Sequence, residues 1–316
     1  MTRRLGLTSF LLLILGGMAS RAVAATALAP LASCTDGGCL TLLSWNVHGL
    51  PWPISRDPGG RLDAIATAIR STAPDVVALQ EVWLASYEAR LERALGAEYQ
   101  AFFRPRSGII AGPEGGLVVF LRRAGRWQAL TAGLRFVPYQ HKANGRLLEG
   151  DSISGKGVLR LDVEAAGQAV CLLATHLQAQ YPESGPDHLY VAERSGQLEE
   201  LRAVEQTCGS KPTLLLGDFN TAPEEHGVYD THMTALGTDL TTRARTECER
   251  PCGSHFSADG TRDEWIDYII SPTAGVDAAV QRIVNVAVDR PYSDHDGLLA
   301  RIVFASAVTP SRGTSP

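Results

Sequence analysis

Apolar and polar positions follow two rhythms along this chain. Strand-length apolar runs fall at residues 40–47, 75–80, 116–121, 157–163, 169–176, 213–217, 264–270, 279–288 and 298–304. Between some of them the spacing turns helical: over 61–71 through Leu62, Ile65, Ala66 and Ile69, over 84–95, and over a long amphipathic stretch at 189–207. Residues 49–60 are rich in proline and glycine, carry Trp52 and Ile54, and predict a loop. No internal repeat or domain-separating linker interrupts the series. The pattern predicts one α/β domain over residues 40–305, with two sheets packed face to face and helices outside.

Six segments near the ends of these runs share a chemistry. They are Ser44-Trp45-Asn46-Val47-His48, Leu79-Gln80-Glu81-Val82, Ala174-Thr175-His176-Leu177, Leu215-Leu216-Gly217-Asp218-Phe219-Asn220, Trp265-Ile266-Asp267-Tyr268 and Ser293-Asp294-His295-Asp296. Polar groups behind β-rich core are costly unless satisfied, so they belong at strand ends with partners. Asn, Glu, His and Asp at such ends suit an oxygen-rich metal and phosphate site. Glu81 can hold a hard cation beside Asn46, although a helix-start glutamate reads the same way. Asp218 and Asn220 fall on one side of an extended segment with Phe219 on the other; an Asx turn before Pro223 is the competing reading. His295, flanked by Asp294 and Asp296, reads as an acid/base imidazole with Asp267 as its orienter. His176 would donate to a phosphoryl oxygen.

The N-terminus adds a compartment. Arg3 and Arg4 precede an apolar stretch from Leu5 to Met18 and then Ala22-Val23-Ala24, the pattern of a signal peptide over residues 1–24. A membrane anchor would need about 20 apolar residues without the Gly16-Gly17 interruption. A linker is expected over 25–39 and a disordered tail over 306–316. Removing 1–24 leaves 26 basic residues against 34 acidic, a net charge of −8, which argues against a polyanionic partner. Six cysteines in an exported chain favour disulfides. Cys34/Cys39 and Cys248/Cys252 are natural local pairs, leaving Cys171 with Cys208, and no zinc-type spacing competes.

The ordered motifs resemble the endonuclease/exonuclease/phosphatase superfamily over residues 40–304. That resemblance implies a four-layer αββα sandwich hydrolysing phosphoesters with Mg2+, Mn2+ and Co2+ being alternatives. It implies Glu81 as metal ligand with Asn46 beside it, Asp294 supporting metal or water, and His295 as acid/base oriented by Asp267. Asp218 and Asn220 would position nucleophile and phosphate, and His176 would contact the phosphate.

Within that superfamily the segment from Asp151 to Val158 resembles neutral sphingomyelinases, in which an aspartate and a lysine five positions on, here Asp151 and Lys156, form a switch near the site. The segment after Thr175-His176-Leu177, with the helix bearing Arg194 and Gln197, resembles the same branch. The implied reaction is hydrolysis of sphingomyelin to ceramide and phosphocholine at a membrane surface, by a secreted or periplasmic monomer. Trp52 and Ile54 could enter the interface or cap the core. A secreted nuclease, using Arg104, Arg106, Arg122, Arg123 and Arg126 as a basic groove, a lipid phosphatase, and an inactive binding module are the alternatives.

Overall fold

The computed structural model describes residue 34 and residues 38–107, 111–143, 155–181, 189–248, 253–255, 264–283 and 292–305. The segments expected as signal peptide and tail, and Asp151, lie outside the described residues.

Fourteen strands run in chain order among the described residues. They are β1 (Cys39–Asn46), β2 (Val76–Gln80), β3 (Tyr99–Phe102), β4 (Pro105–Arg106), β5 (Gly112–Pro113), β6 (Val118–Arg122), β7 (Gln128–Pro138), β8 (Gly157–Ala165), β9 (Gln168–His176), β10 (Thr213–Asp218), β11 (Thr238–Asp239), β12 (Asp267–Ser271), β13 (Val276–Ile283) and β14 (Gly297–Phe304). Two six-stranded mixed sheets form, in the orders β13-β14-β1-β2-β6-β3 and β11-β12-β10-β9-β8-β7, while β4 and β5 make a separate hairpin. The principal helices are α1 (Pro58–Thr72), α2 (Ala85–Leu95) and α3 (Val191–Gln206).

Alternation along the strands builds the layers. In β1, Leu43 and Trp45 pack with Leu62, Ile65 and Ile69 of α1 and with Leu91 and Leu95 of α2. Leu40 and Leu42, on the other face, join Val76 and Ala78 of β2 in the core that also takes in β8, β9 and β10 and Leu198 and Leu201 of α3. The order is therefore helices, sheet, sheet, helix, the αββα sandwich expected above. The central strands β1, β2 and β10 are buried on both faces, which explains their unbroken apolar sequences. Each large apolar side chain so buried contributes roughly 2 kcal/mol.

Two departures from the sequence reading have local causes. α1 starts at Pro58, not residue 61, because proline suits the first helical position and the Asp57 side chain accepts from Gly60 N at 3.1 Å. The strand β7 is half exposed at the sheet edge and shifts register between Leu130 and Arg135, so its alternation is broken in the sequence. Disulfides join Cys34 to Cys39 and Cys171 to Cys208. Cys248 is also disulfide-bonded, and Cys252 lies outside the described residues.

Candidate active site

Sheet register brings the polar strand ends together. Asp218, the last residue of β10, stands beside His176 of β9 on one side and Asp267 of β12 on the other. In the facing sheet Asn46 ends β1 next to Gln80 of β2, and Glu81 follows. The Asn46 amide spans the gap: Nδ2 donates to Glu81 Oε1 at 3.1 Å and to Asp218 Oδ2 at 3.0 Å, while Oδ1 accepts from His48 N at 3.0 Å. One side chain thus ties the two sheets at their polar end.

The backbone bends sharply here. His48, Glu81 and Asn220 have φ of 49°, 62° and 45°, a left-handed conformation costing L-residues of order 1 kcal/mol or more each. Glu81 is not a helix-start residue, since α2 begins at Ala85 and is preceded by Leu84. Asp218 satisfies both readings of its motif. Its Oδ1 accepts from Asn220 N at 2.9 Å in an Asx turn, and its Oδ2 faces the cleft. Phe219 points into the core against Tyr268, ring centroids 5.6 Å apart. Gly217 is required, because at φ 140° a Cβ would lie 1.9 Å from Thr175 O.

His295 is fixed from several directions. Its Nδ1 lies 2.8 Å from Asp267 Oδ2, which also accepts from Ser254 Oγ at 2.8 Å. Its backbone is held by Ser293 Oγ and by the Trp45 indole N–H. The Nε2 atom faces Asp218 Oδ2 at 3.6 Å and Asp294 Oδ1 at 3.9 Å. Burial alone would lower the pKa of this imidazole, but Asp267, Asp218 and Asp294 outweigh it and hold the pKa well above the ordinary value.

The carboxylates respond differently. Burial and then the charge of Asp294 push Glu81 upward, and burial also raises Asp218. Burial raises Asp294 as well, yet its bond to His48 Nδ1 (2.5 Å) and the charge of His295 bring it below the carboxylate range. The charge of Asp294 thus acts on Glu81 across the cleft, while among the described residues the ligand atoms close enough together to share one ion are those of His255, Asp294 and His295 and those of Asp218, Asp267 and His295.

Lys156 is buried, its Nζ 2.5 Å from Leu177 O and 3.0 Å from His176 Nε2. An ammonium only donates, so in this arrangement Nε2 accepts and the ring proton is assigned to Nδ1. Burial, followed by the charges of Lys156 and His295, lowers the His176 pKa well below its ordinary value. Asn220 Nδ2 donates to the same Leu177 carbonyl at 3.0 Å.

The structure adds residues that the sequence reading did not single out. His48 lay inside the first motif, two positions past Asn46, and only its partner Asp294 gives it meaning. His255 bridges to His295 through the backbone, and its ring lies against the His295 ring at a 53° tilt with centroids 4.8 Å apart; burial and the His295 charge push its pKa down to about 4. Ser254 and His255 follow no apolar run, so periodicity passes over them. Trp83 donates to Glu81 Oε2 at 3.4 Å and lies against the His176 ring.

Of the arginines expected to form a basic groove, Arg122 and Arg123 lie at the opposite end of the sheet. Val118 of β6 pairs with Leu79 near the cleft, whereas Arg122 N bonds Asp75 O at the far end. Their guanidinium groups, with that of Arg126, bond backbone carbonyls there.

The sequence profile of the Endonuclease/Exonuclease/phosphatase family matches residues 43–295, from β1 through His295. Human sphingomyelin phosphodiesterase 2 is 30% identical over 193 residues, which are 60% of this chain and 42% of the human protein. The putative neutral sphingomyelinase of Drosophila melanogaster is 29% identical over 191 residues, 59% of this chain and 40% of the fly protein. The matched part thus spans less than half of either relative. Among solved structures, sphingomyelinase C from Streptomyces griseocarneus superposes with a TM-score of 0.61 at 19% identity, covering 83% of this chain and 99% of that one. Truncated TDP2 from Caenorhabditis elegans gives 0.60 at 18% identity, covering 84% and 98%.

Proposed function

The chain belongs to the endonuclease/exonuclease/phosphatase family, and on that premise we propose that it is an exported, divalent-metal-dependent phosphodiesterase that hydrolyses sphingomyelin to ceramide and phosphocholine. The observation that carries the reaction class is the convergence on Asp218 Oδ2 of Asn46 Nδ2 at 3.0 Å, His176 Nε2 at 3.4 Å and His295 Nε2 at 3.6 Å. Carboxylate, amide and two imidazoles from both sheets thereby share one cleft.

Water attacks phosphorus in line with the departing ceramide oxygen. Asp218 and Asn220 orient the water and the phosphoryl group. His295, kept protonated by Asp267 and Asp218, gives its Nε2 proton to the departing ceramide oxygen, while Asp218 Oδ2 accepts the proton that the attacking water loses and returns it to His295 Nε2, 3.6 Å away. Lys156, donating to His176 Nε2, adds a second cation on the phosphate side and takes over the donor role that the sequence suggests for His176. Glu81 and Asp294, with Asn46 orienting Glu81, would hold Mg2+, with Mn2+ or Co2+ as substitutes. Such an ion offsets charge on the phosphoryl oxygens.

The phospholipid assignment rests on the sphingomyelinase relatives and on the acidic balance of the chain. The disulfides support an oxidising compartment, secreted or periplasmic. A nuclease is the second reading, since Arg104 and Arg106 belong to the segment whose Gly112 lies against Trp83. A panel of sphingomyelin, phosphatidylcholine, plasmid DNA, abasic DNA and inositol phosphates, each with and without EDTA, separates the two. EDTA-sensitive release of phosphocholine is the expected result. Plasmid cleavage without lipid hydrolysis reverses the assignment, and silence on all substrates by metal-loaded protein favours a binding module.

A further inference from the structure

Trp52 and Ile54 are 77% and 70% exposed, far beyond the other exposed large apolar side chains of the described residues. They stand at the tip of the loop joining β1 to α1, four and six residues past the bend at His48 that borders Glu81 and Asp294. Neither side chain caps the core. An exposed tryptophan and isoleucine side by side lose apolar hydration only by meeting something apolar outside the chain.

The tip is held rigidly. Ile54 N and Ser55 N both donate to Pro51 O, at 2.9 and 3.2 Å. Arg61, on the first turns of α1, fans its guanidinium over the loop. It donates to Val47 O (3.0 Å), His48 O (2.7 Å), Ser55 Oγ (2.5 Å) and Arg56 O (3.1 Å), and also to Tyr292 O (3.0 Å), just before Ser293-Asp294-His295. The apolar tip therefore has a fixed position relative to both polar strand ends that border the cleft.

We propose that the 50–55 loop is a lipid-surface docking element, with Trp52 and Ile54 entering the headgroup boundary of a zwitterionic phospholipid bilayer and Arg61 holding the cleft in register with that surface. This deepens the phospholipid reading and rests on it for the choice of a bilayer over a protein partner. Tryptophan favours the membrane interface, and the net charge of −8 that remains once residues 1–24 are removed disfavours an anionic surface. Among the described residues no helix is long and apolar enough to cross a membrane.

The chain supplies its own reporter. Of its five tryptophans, Trp45, Trp83, Trp127 and Trp265 are buried at 0%, 8%, 2% and 3% exposure, leaving Trp52 as the one in water. Emission is recorded on adding phosphatidylcholine vesicles, which test docking without requiring turnover. A blue shift, with quenching by lipids brominated near the headgroup, is expected from the wild type. Trp52→Ala, which removes the reporter, is read by co-sedimentation instead: it and Ile54→Ser should each weaken binding to the vesicles by about tenfold, and both variants should turn over a dispersed short-chain substrate at the wild-type rate.

Arg61→Lys, checked for folding by circular dichroism, should still bind vesicles while its kcat on vesicle substrate falls. No emission change on phosphatidylcholine vesicles, or binding confined to anionic vesicles, overturns the proposal even if sphingomyelin is hydrolysed. A blue shift in a chain that hydrolyses no lipid would instead overturn the catalytic reading and leave the docking surface standing.

Discussion

His295 Nδ1 and Asp267 Oδ2 lie 2.8 Å apart, a contact that sets which ring nitrogen faces inward. The carboxylate fixes the Nδ1–H tautomer and leaves Nε2 toward Asp218. Asp267→Asn should keep the fold and lower kcat by roughly 10²- to 10⁴-fold. It also removes the leading charge that raises the imidazole pKa against burial, so that pKa falls toward its ordinary 6.5. The high-pH limb of the rate profile, where imidazolium is lost, should then move to lower pH. A variant within threefold of wild type, with an unmoved profile, would show that Asp267 does not orient His295.

Glu81 and Asp294 repel across the cleft, so a bound cation should stabilise the fold as well as the reaction. Mg2+ is expected to raise the melting temperature of wild-type protein in differential scanning fluorimetry. Glu81→Gln, which removes the buried charge, should melt no lower than wild type in EDTA and gain nothing from Mg2+. An equal gain in both proteins places the ion elsewhere.

Lys156 and Lys142 differ by environment: the first is buried on His176 and the second exposed. Lys156→Ala should cut kcat/KM by at least tenfold, about 1.4 kcal/mol of transition-state stabilisation, with Lys142→Ala near wild type. Equal losses remove the phosphate-side role of Lys156.

On α2, burial and the adjoining Glu92 push Glu88 up to about 7. The folded chain then holds a proton that the unfolded chain releases near 4.5. Stability contributed by the neutral acid is lost as pH rises between these values, and the cost is complete above 7. Glu88→Gln should therefore stabilise the protein at pH 8 by on the order of 1–2 kcal/mol after solvent screening and flatten stability across that window. Urea denaturation at pH 5 and pH 8 measures it; a gain equal at both pH values would mean that Glu88 is already ionised at pH 5.

What the sequence disclosed follows from the physics of its strands. Asn46, His176 and Asp218 close apolar strands and Asp267 opens one, and sheet register alone aligns the last three. Glu81 was legible because it directly follows β2, though only the left-handed bend at φ 62° separates it from a helix-start residue. His255 and Ser254 were invisible, since they reach His295 by a two-residue backbone bridge between segments without periodicity. The edge strand β7 was hidden by its broken alternation, and the first turn of α1 by a Pro-Gly-Gly sequence that reads as a loop until Asp57 caps it.

The Cys171–Cys208 bond sits where β9 pairs with the first residue of β10, and His176 sits where it pairs with the last. Beside that disulfide, Asp162 pairs with Cys171 in the sheet and is gripped by both arms of Arg160 at 2.9 Å and by Lys211 at 3.3 Å. Fasteners and chemistry thus occupy opposite ends of the same strands. The domain is polarised, with durability and reactivity able to change independently. A reductant that shortens its working life should leave the initial rate of freshly folded protein untouched.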